Sequence, residues 1–340
     1  CLNVLSPLAG AVGEGVDFVL TNLQTEYRTD PIGLDVAFPR LSWQMQSEER
    51  GVKQESYRIT AATSVQKLEN GVYDAWDSGT VKSDCSTGSA YGGQALQAKT
   101  RYFWRVTVKD KSGNSVTSAT AYFETGLMGS GWGNAVWITA GEGAPDADTK
   151  AEREITGGAT DHVEDSVAPM LRREFTAGNG SITSARLYIT AAGLYEVYLN
   201  GQPVTDSVLN PGRSDYSKKL YYQVYDVTEK IQSGENAIGA VLGHGWFRTK
   251  WNNYGTTLGL LARLEINYAD GGTQTVVTDG NWKTFCDGPL RYEDINNGVT
   301  YDATRENDGW AESGLDDSAW TAAQTTTASA LNVAAAPVYT

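Results

Sequence analysis

Apolar residues recur at every second position along much of this chain, a rhythm that suits a strand with one buried face and fits no helix. In Arg101–Asp110, RYFWRVTVKD, the side chains of Tyr102, Trp104, Val106 and Val108 share one face, while Phe103, Arg105 and Thr107 share the other. Tyr57, Ile59 and Ala61 repeat the pattern in SYRITAAT. Between such runs the chain turns often, for it carries 37 Gly beside 18 Tyr and 10 Trp but only three Met. Glycine supplies the positive φ of tight turns, and aromatic or β-branched side chains fit a half-buried pleat. No helical pattern longer than about two turns emerges, which argues against folds that need a helix between parallel strands. The expected class is all-β.

A length of 340 residues suits two domains, each able to bury its own core. Alternation from residue 26 to about residue 126, with DKSGN as a turn, predicts a first sandwich of short antiparallel strands over residues 20–126. Residues 127–170 read as linker and surface loop. Trp132 and Trp137 there are suited to docking on the next domain, and residues 141–165 are acidic, small and loop-like. Alternation resumes at Leu171 and predicts a larger sandwich over residues 171–338, a jelly roll. Asn200-Gly201 marks a hairpin, and Leu258, Leu260, Leu264, Ile266 and Tyr268 keep one phase before Asp270-Gly271-Gly272 turns the chain back. One helical turn is expected from Asp226 or Thr228 to Gly234.

Lys and Arg number 27 against 41 Asp and Glu, and the resulting net charge of −14 would repel a phosphate backbone, so no nucleic-acid partner is expected. Neutral ligands and divalent cations stay open. No run of about eighteen apolar residues is present, so no membrane-spanning helix is expected. Residues 1–19 begin CLNVLSPLAGAVGEG, where Ala9, Gly10 and Ala11 resemble a signal cleavage region; alternatively Cys1 is the first residue of a mature lipoprotein. Both readings put the chain outside the cytoplasm, secreted, periplasmic or on the outer surface, whereas an artificial boundary would say nothing. Three cysteines make no disulfide framework, and Cys85 and Cys286 are expected to be free, buried thiols in different domains.

Catalytic constellations are missing. Only His162 and His244 occur, with no HExxH and no Cys-x-x-Cys pair, which makes a zinc site a poor fit. Met128-Gly129-Ser130-Gly131 lacks the first glycine of a nucleophile elbow, and Gly129, Gly131 and Gly133 neither follow a parallel strand nor open a helix. Paired carboxylates of a glycosidase are defined by their separation in space, so no catalytic residue is assigned from 41 acids.

Three clusters carry polar chemistry. In VLNPGRSDYSKKLYY, residues 208–222, Arg213, Asp215 and Tyr216 crowd behind the Asn210-Pro211-Gly212 turn, as a solvated hairpin end or a ligand site. RYEDINNGVTYDATREND, residues 291–308, gathers Asp294, Asn296, Asn297, Asp302 and Glu306 beside Gly298. Hard cations such as Ca²⁺ take carboxylate and amide oxygens in flexible loops; a solvated Asn-Gly turn explains the same residues, and the spacing is not that of an EF-hand. LGHGWFRTKWNNYGTT, residues 242–257, holds Trp246, Phe247, Trp251 and Tyr254, flat faces suited either to sugar C–H patches or to core packing.

Several motifs resemble those of bacterial α-L-rhamnosidases, multidomain glycoside hydrolases. EYRTDPIGLDVAFPRLSWQM and TRYFWRVTVKDKSG, closed by FETG, look like the family's fibronectin-type-III-like domain. YEVYLNGQPVTDSVLNPGRSDYSKKLYYQVYDVT, GENAIGAVLGHGWF, NNGVTYDATRE and GWAESGLDDSAW are similar to its next sandwich in order and spacing, so the resemblance runs from Glu26 to Val338. It implies an accessory domain related to a rhamnose-binding carbohydrate module that uses calcium in contact with the sugar. By that resemblance Asn210, Arg213, Asp215 and Tyr216 form one rim of the sugar site, Trp246 and Trp251 lie near it, and Asp294, Asn296 and Asn297 hold Ca²⁺ and the hydroxyls. Arg213 departs from the pattern, standing where an aromatic is common. The family's catalytic domain is a helical barrel after the sandwiches, and AAPVYT at residues 335–340 resembles the linker before it. With no such helical sequence present, the chain looks like the non-catalytic N-terminal part of a rhamnosidase. The expected role is to position a rhamnose-containing glycan for the barrel of the same parent polypeptide; the alternative is bracing without sugar binding.

Overall fold

The computed structural model describes residues 18–140, 167–248, 254–255, 257–296, 298–325 and 333–335. The chain divides into two compact units between Gly131 and Trp132. In the first, β1 (Val19–Thr25) and β2 (Arg40–Gln46) pair antiparallel in one sheet. The other sheet is built around β3 (Gln54–Ala62), β4 (Arg101–Asp110) and β5 (Ala121–Glu124). Alternation selects the buried face as expected: Tyr102, Trp104, Val106 and Val108 are at most 3% exposed and meet Trp43, Ile59 and Phe123 in one core. Buried indoles usually find an acceptor for their N–H; Trp104 Nε1 has none among the described residues, whereas Trp43 does. Trp43 donates to Gln54 Oε1 at 3.0 Å, and Gln54 Nε2 donates onward to the Ser83 and Cys85 carbonyls. A short helix, α1 (Val65–Glu69), is capped by Ser64, whose hydroxyl accepts the Lys67 N–H; five residues are too few to leave a helical period in the sequence.

Both described cysteines are free, but the expectation that both are buried is corrected: Cys85 is exposed and Cys286 half-buried. Cys85 lies in a surface loop, where its thiol donates to the Thr87 carbonyl at 3.2 Å. Burial pushes the Cys286 thiol up.

The second unit contains β6 (Met170–Ala177), β7 (Ile182–Ala192), β8 (Leu194–Leu199), β9 (Leu220–Asp226), β10 (Gly234–Gly243), β11 (Gly259–Tyr268) and β12 (Thr273–Val277). It adds a separate hairpin of β13 (Leu290–Asp294) and β14 (Gly298–Tyr301). β7, β9, β11 and β12 share one sheet, β6, β8 and β10 the other, and a single core including Leu187, Ile189, Val197, Ile238 and Leu260 fills the space between. From Ala185 to Ala192 β7 is buried on both faces and mostly apolar, its two polar exceptions being partnered: Arg186 pairs with Asp226 and the Thr190 hydroxyl donates to the Tyr221 carbonyl. β9 also pairs in parallel with Val333–Ala335. The all-β expectation of two sandwiches in series therefore holds.

Local turn chemistry follows the sequence. Asn200 and Gly201 both take positive φ, 49° and 75°, and join β8 to Gln202–Pro203. The expected helical turn is shorter than anticipated, a 3₁₀ turn over Thr228–Lys230, because Gly234 opens β10 instead of closing a helix. Trp132 and Trp137 do pack on the core of the second unit, Trp132 edge-on to Tyr222 at 5.4 Å. The loop expected over residues 141–165 and the export pattern of residues 1–11 lie outside the described residues. Among the described residues no helix is long and apolar enough to cross a membrane.

Candidate functional site

The Asn210-Pro211-Gly212 corner is held from three sides. Its peptide between Asn210 and Pro211 is cis, and Leu209 and Gly212 reverse the chain at φ 60° and 90°. The Asn210 carbonyl accepts the Tyr195 N–H of β8 at 2.8 Å, and Gln223 on β9 donates to the Pro211 carbonyl at 2.9 Å. The Tyr216 hydroxyl donates to the Gly212 carbonyl at 3.2 Å. One corner is thereby tied to both sheets.

These ties decide which of the predicted rim residues face outward. Asn210 is buried, with Nδ2 donating to the Ser207 carbonyl at 2.8 Å and Oδ1 accepting from the Ser207 hydroxyl at 3.3 Å. Tyr216 is 1% exposed, its ring packed against Phe247 at 5.5 Å and Tyr254 at 5.2 Å. Burial pushes its phenol up to about 12, against the pull of nearby Arg213. Arg213 and Asp215 stand outside. Asp215 Oδ1 accepts from the Ser217 hydroxyl and N–H at 2.5 and 3.2 Å, Lys218 lies 3.1 Å from Oδ2, and the carboxyl is held below its usual range by these contacts, Ser217 first. Arg213 forms no ion pair among the described residues.

β10 leaves its sheet at Gly243 and turns at Gly245, φ 51°, where Leu194 fills the space a Cβ would need. His244 and Phe247 point inward at 4% exposure each, while Trp246 is half-buried against the core. The His244 backbone N–H donates to Glu293 Oε1 on β13, and His244 Nδ1 lies 2.6 Å from the same oxygen. One buried carboxylate thus fixes both the backbone and the ring of His244, a charge-assisted arrangement that is costly to leave half-made. Sequence reasoning misses this pair. Its members are 49 residues apart, and neither a lone histidine nor one acid among many leaves a spacing signal.

Asp294, next along β13, is buried and its Oδ1 accepts the Asn296 N–H at 2.8 Å; Asn296 itself is exposed. Asn297 and Trp251 lie outside the described residues. A calcium ion takes roughly six to eight oxygens. The described residues here supply one carboxylate and one amide, and among the described residues no three His, Cys, Asp or Glu side chains gather as a metal-holding group. By themselves these donors fall short of a calcium cage.

Tyr195 joins the segments. It pairs with Leu242 across β8 and β10 while its N–H holds Asn210, and two residues beyond Leu242 lies His244 with its partner Glu293. The corner, the turn after β10 and the β13–β14 hairpin therefore meet at one end of the second sandwich. Arg213, Asp215, part of Trp246, Tyr254 and Asn296 are left toward solvent, while Asn210, Tyr216, His244, Phe247 and Glu293 form the support beneath. A surface of one cation, one carboxylate, one amide and two partly open rings is able to hydrogen-bond hydroxyls and stack on an apolar ring face.

Residues 180–339 match the family described as Alpha-L-rhamnosidase N-terminal domain, and residues 20–129 match that described as Rha78A-like, N-terminal immunoglobulin domain. An alpha-L-rhamnosidase of Formosa agariphila is 36% identical over 91% of the chain, a stretch that makes up 34% of that protein. The structure of alpha-L-rhamnosidase from Dictyoglumus thermophilum superposes with a TM-score of 0.82 at 32% identity, covering 93% of this chain and 35% of that one. The Streptomyces avermitilis alpha-L-rhamnosidase complexed with L-rhamnose gives 0.81 at 27% identity, covering 91% and 45%. The chain thus spans between about a third and a half of the length of these relatives. Sandwich for sandwich, it belongs to the N-terminal domains of the α-L-rhamnosidase family.

Proposed function

We propose that the chain is an accessory, carbohydrate-binding part of an α-L-rhamnosidase, whose second sandwich positions a rhamnose-bearing glycan for a catalytic domain carried elsewhere on the same polypeptide. The observation that carries this reading is the meeting of the Asn210 corner, the His244–Phe247 turn and the Asp294 hairpin at one end of the sandwich, with polar and aromatic side chains left at the surface above a buried, hydrogen-bonded support. Pre-organised donors and acceptors beside ring faces are what a polyhydroxylated ligand needs. The rhamnose in the Streptomyces structure belongs to that protein and supports the ligand class only.

Calcium enters the proposal through the resemblance: Asp294, Asn296 and Asn297 would offer it hard oxygen donors. Export from the cytoplasm belongs to the same proposal. The test of the ion is Asp294→Asn, which keeps an acceptor for the Asn296 N–H and removes the charge. Retardation of the protein in gels containing a rhamnose-bearing polysaccharide should weaken about tenfold or more, the scale of a lost charged contact, and should become insensitive to a chelator. Unchanged, chelator-insensitive retardation of both proteins would remove calcium from the reading.

A second reading, bracing of the parent enzyme without sugar binding, is favoured by one observation: Asn210, Asp215 and Tyr216 already satisfy one another's neighbours within the corner. A folded protein that no rhamnose-bearing polysaccharide retards would support it.

A further inference from the structure

A cleft of about 370 Å³ opens on the outer face of the β6–β8–β10 sheet, lined by Met170, Tyr198, Tyr301 and the segment from Glu306 to Glu312; of these Tyr301, the last residue of β14, belongs to the hairpin that reaches the loop end described above. That volume lies within the roughly 300–1,000 Å³ typical of small-ligand clefts. Its wall is firmly built. Trp310 lies over Gly239 of β10, where any Cβ would collide with the indole, and meets Tyr198 edge-on at 5.3 Å. Arg172, 1% exposed, pins the wall from beneath: Nε donates to the Trp310 carbonyl at 2.9 Å, one terminal nitrogen to the Glu312 carbonyl at 2.8 Å and the other to Asp317 at 2.6 Å.

The mouth differs from the floor. Tyr301, 54% exposed, stands at the edge with its hydroxyl donating to Glu306 at 2.8 Å, and Asp308 and Glu312 add carboxylates to the rim. Buried Met170, with Pro289 and the rings of Tyr198 and Trp310, gives the floor an apolar patch within a lining that is otherwise mostly polar, and no Lys, Arg or His lines the space. We infer that this cleft is a binding subsite for an uncharged sugar ring: the apolar patch of the floor takes a C–H face or a methyl group, and the polar lining and rim carboxylates bond to hydroxyls. Three carboxylates without a cation exclude uronates and phosphorylated sugars by like-charge repulsion. An organic cation would meet the same carboxylates only at the exposed rim, where water and salt screen them.

The inference rests on the carbohydrate-binding reading and gives it a second, calcium-independent seat. The chain carries three methionines, and Met170 lines the cleft while Met45 and Met128 belong to the first unit, so ¹³C-methyl-methionine spectra report directly on the cleft. Methyl α-L-rhamnoside should move the Met170 signal saturably, D-galacturonate at equal concentration should not, and Tyr301→Ala should weaken the rhamnoside at least tenfold with the circular dichroism unchanged. If saturation transfer detects rhamnoside binding while Met170 stays still, the cleft assignment is overturned and the carbohydrate reading stands. No binding in either measurement sinks both. Choline moving Met170 at lower concentration than the rhamnoside overturns the ligand class.

Discussion

Arg172 is the residue on which the second unit's outer face depends. It lies at 1% exposure among two carbonyls and the carboxylates of Glu174 and Asp317, so its charge is fully matched. Removing the guanidinium leaves those acceptors without their donor, and Arg172→Met is expected to destabilise the unit by about 2–4 kcal/mol. Lys283 touches the same Asp317 at 2.6 Å but is 42% exposed, so Lys283→Met should cost less than about 1 kcal/mol. Urea denaturation of both variants checks the contrast; equal losses would mean that Asp317, rather than the buried cation, organises the segment. Tyr216 shows the same logic on a smaller scale, since its phenol is a buried donor to the Gly212 carbonyl and Tyr216→Phe should lose about 0.5–1.5 kcal/mol in the same assay.

At the level of strands and turns, what the sequence announces is what depends on near neighbours. The period-two faces of β3 and β4 and the Asn200-Gly201 hairpin are legible because each rests on residues a few positions apart. Gly201 has two reasons to be glycine, a φ of 75° and a Glu312 side chain where a Cβ would stand, so Gly201→Ala should destabilise by about 1–2 kcal/mol. Thermal melts check this; an unchanged Tm would mean that neither the backbone conformation nor the Glu312 contact constrains the position. What stays hidden depends on distant partners. VLNPGRSDYSKK is legible as a polar cluster, but nothing local tells that Tyr216 turns inward to Phe247 while Arg213 stays out. The Glu293 anchor of His244 and the Trp310 wall over Gly239 join segments far apart in the chain, and such contacts leave no period to read. Cys85 runs against expectation because thiols favour burial on average, whereas this one sits in a loop whose carbonyl, not its side chain, serves the core through Gln54.

For the molecule as a whole, acid should be the stress that exposes its electrostatics. The Arg58 guanidinium holds Asp77 down to about 2, and Asp74 falls to about 2 because Lys67 and Thr63 overcome the opposing effect of burial. At Glu26 burial pushes the carboxyl up but Arg40 outweighs it, and at Asp317 Lys283 and Arg172 outweigh burial in the same way, so both carboxyls are held low. Carboxyls lower in the folded than in the unfolded chain bind fewer protons when folded, so their stabilisation is complete above the ordinary carboxyl range and is lost as pH falls through the folded values. Melting temperature should therefore be nearly flat from about pH 6 down to about pH 5 and drop steeply between about pH 4 and pH 2. A melting temperature that held steady to pH 2 would show that these pairs carry no stability. The sugar-binding role itself is tested most directly by calorimetric titration of L-rhamnose into the folded chain, once with excess Ca²⁺ and once with a chelator. Saturable heat, stronger with calcium, is the predicted result; no heat in either solution would contradict it and leave the two sandwiches as braces for the parent enzyme.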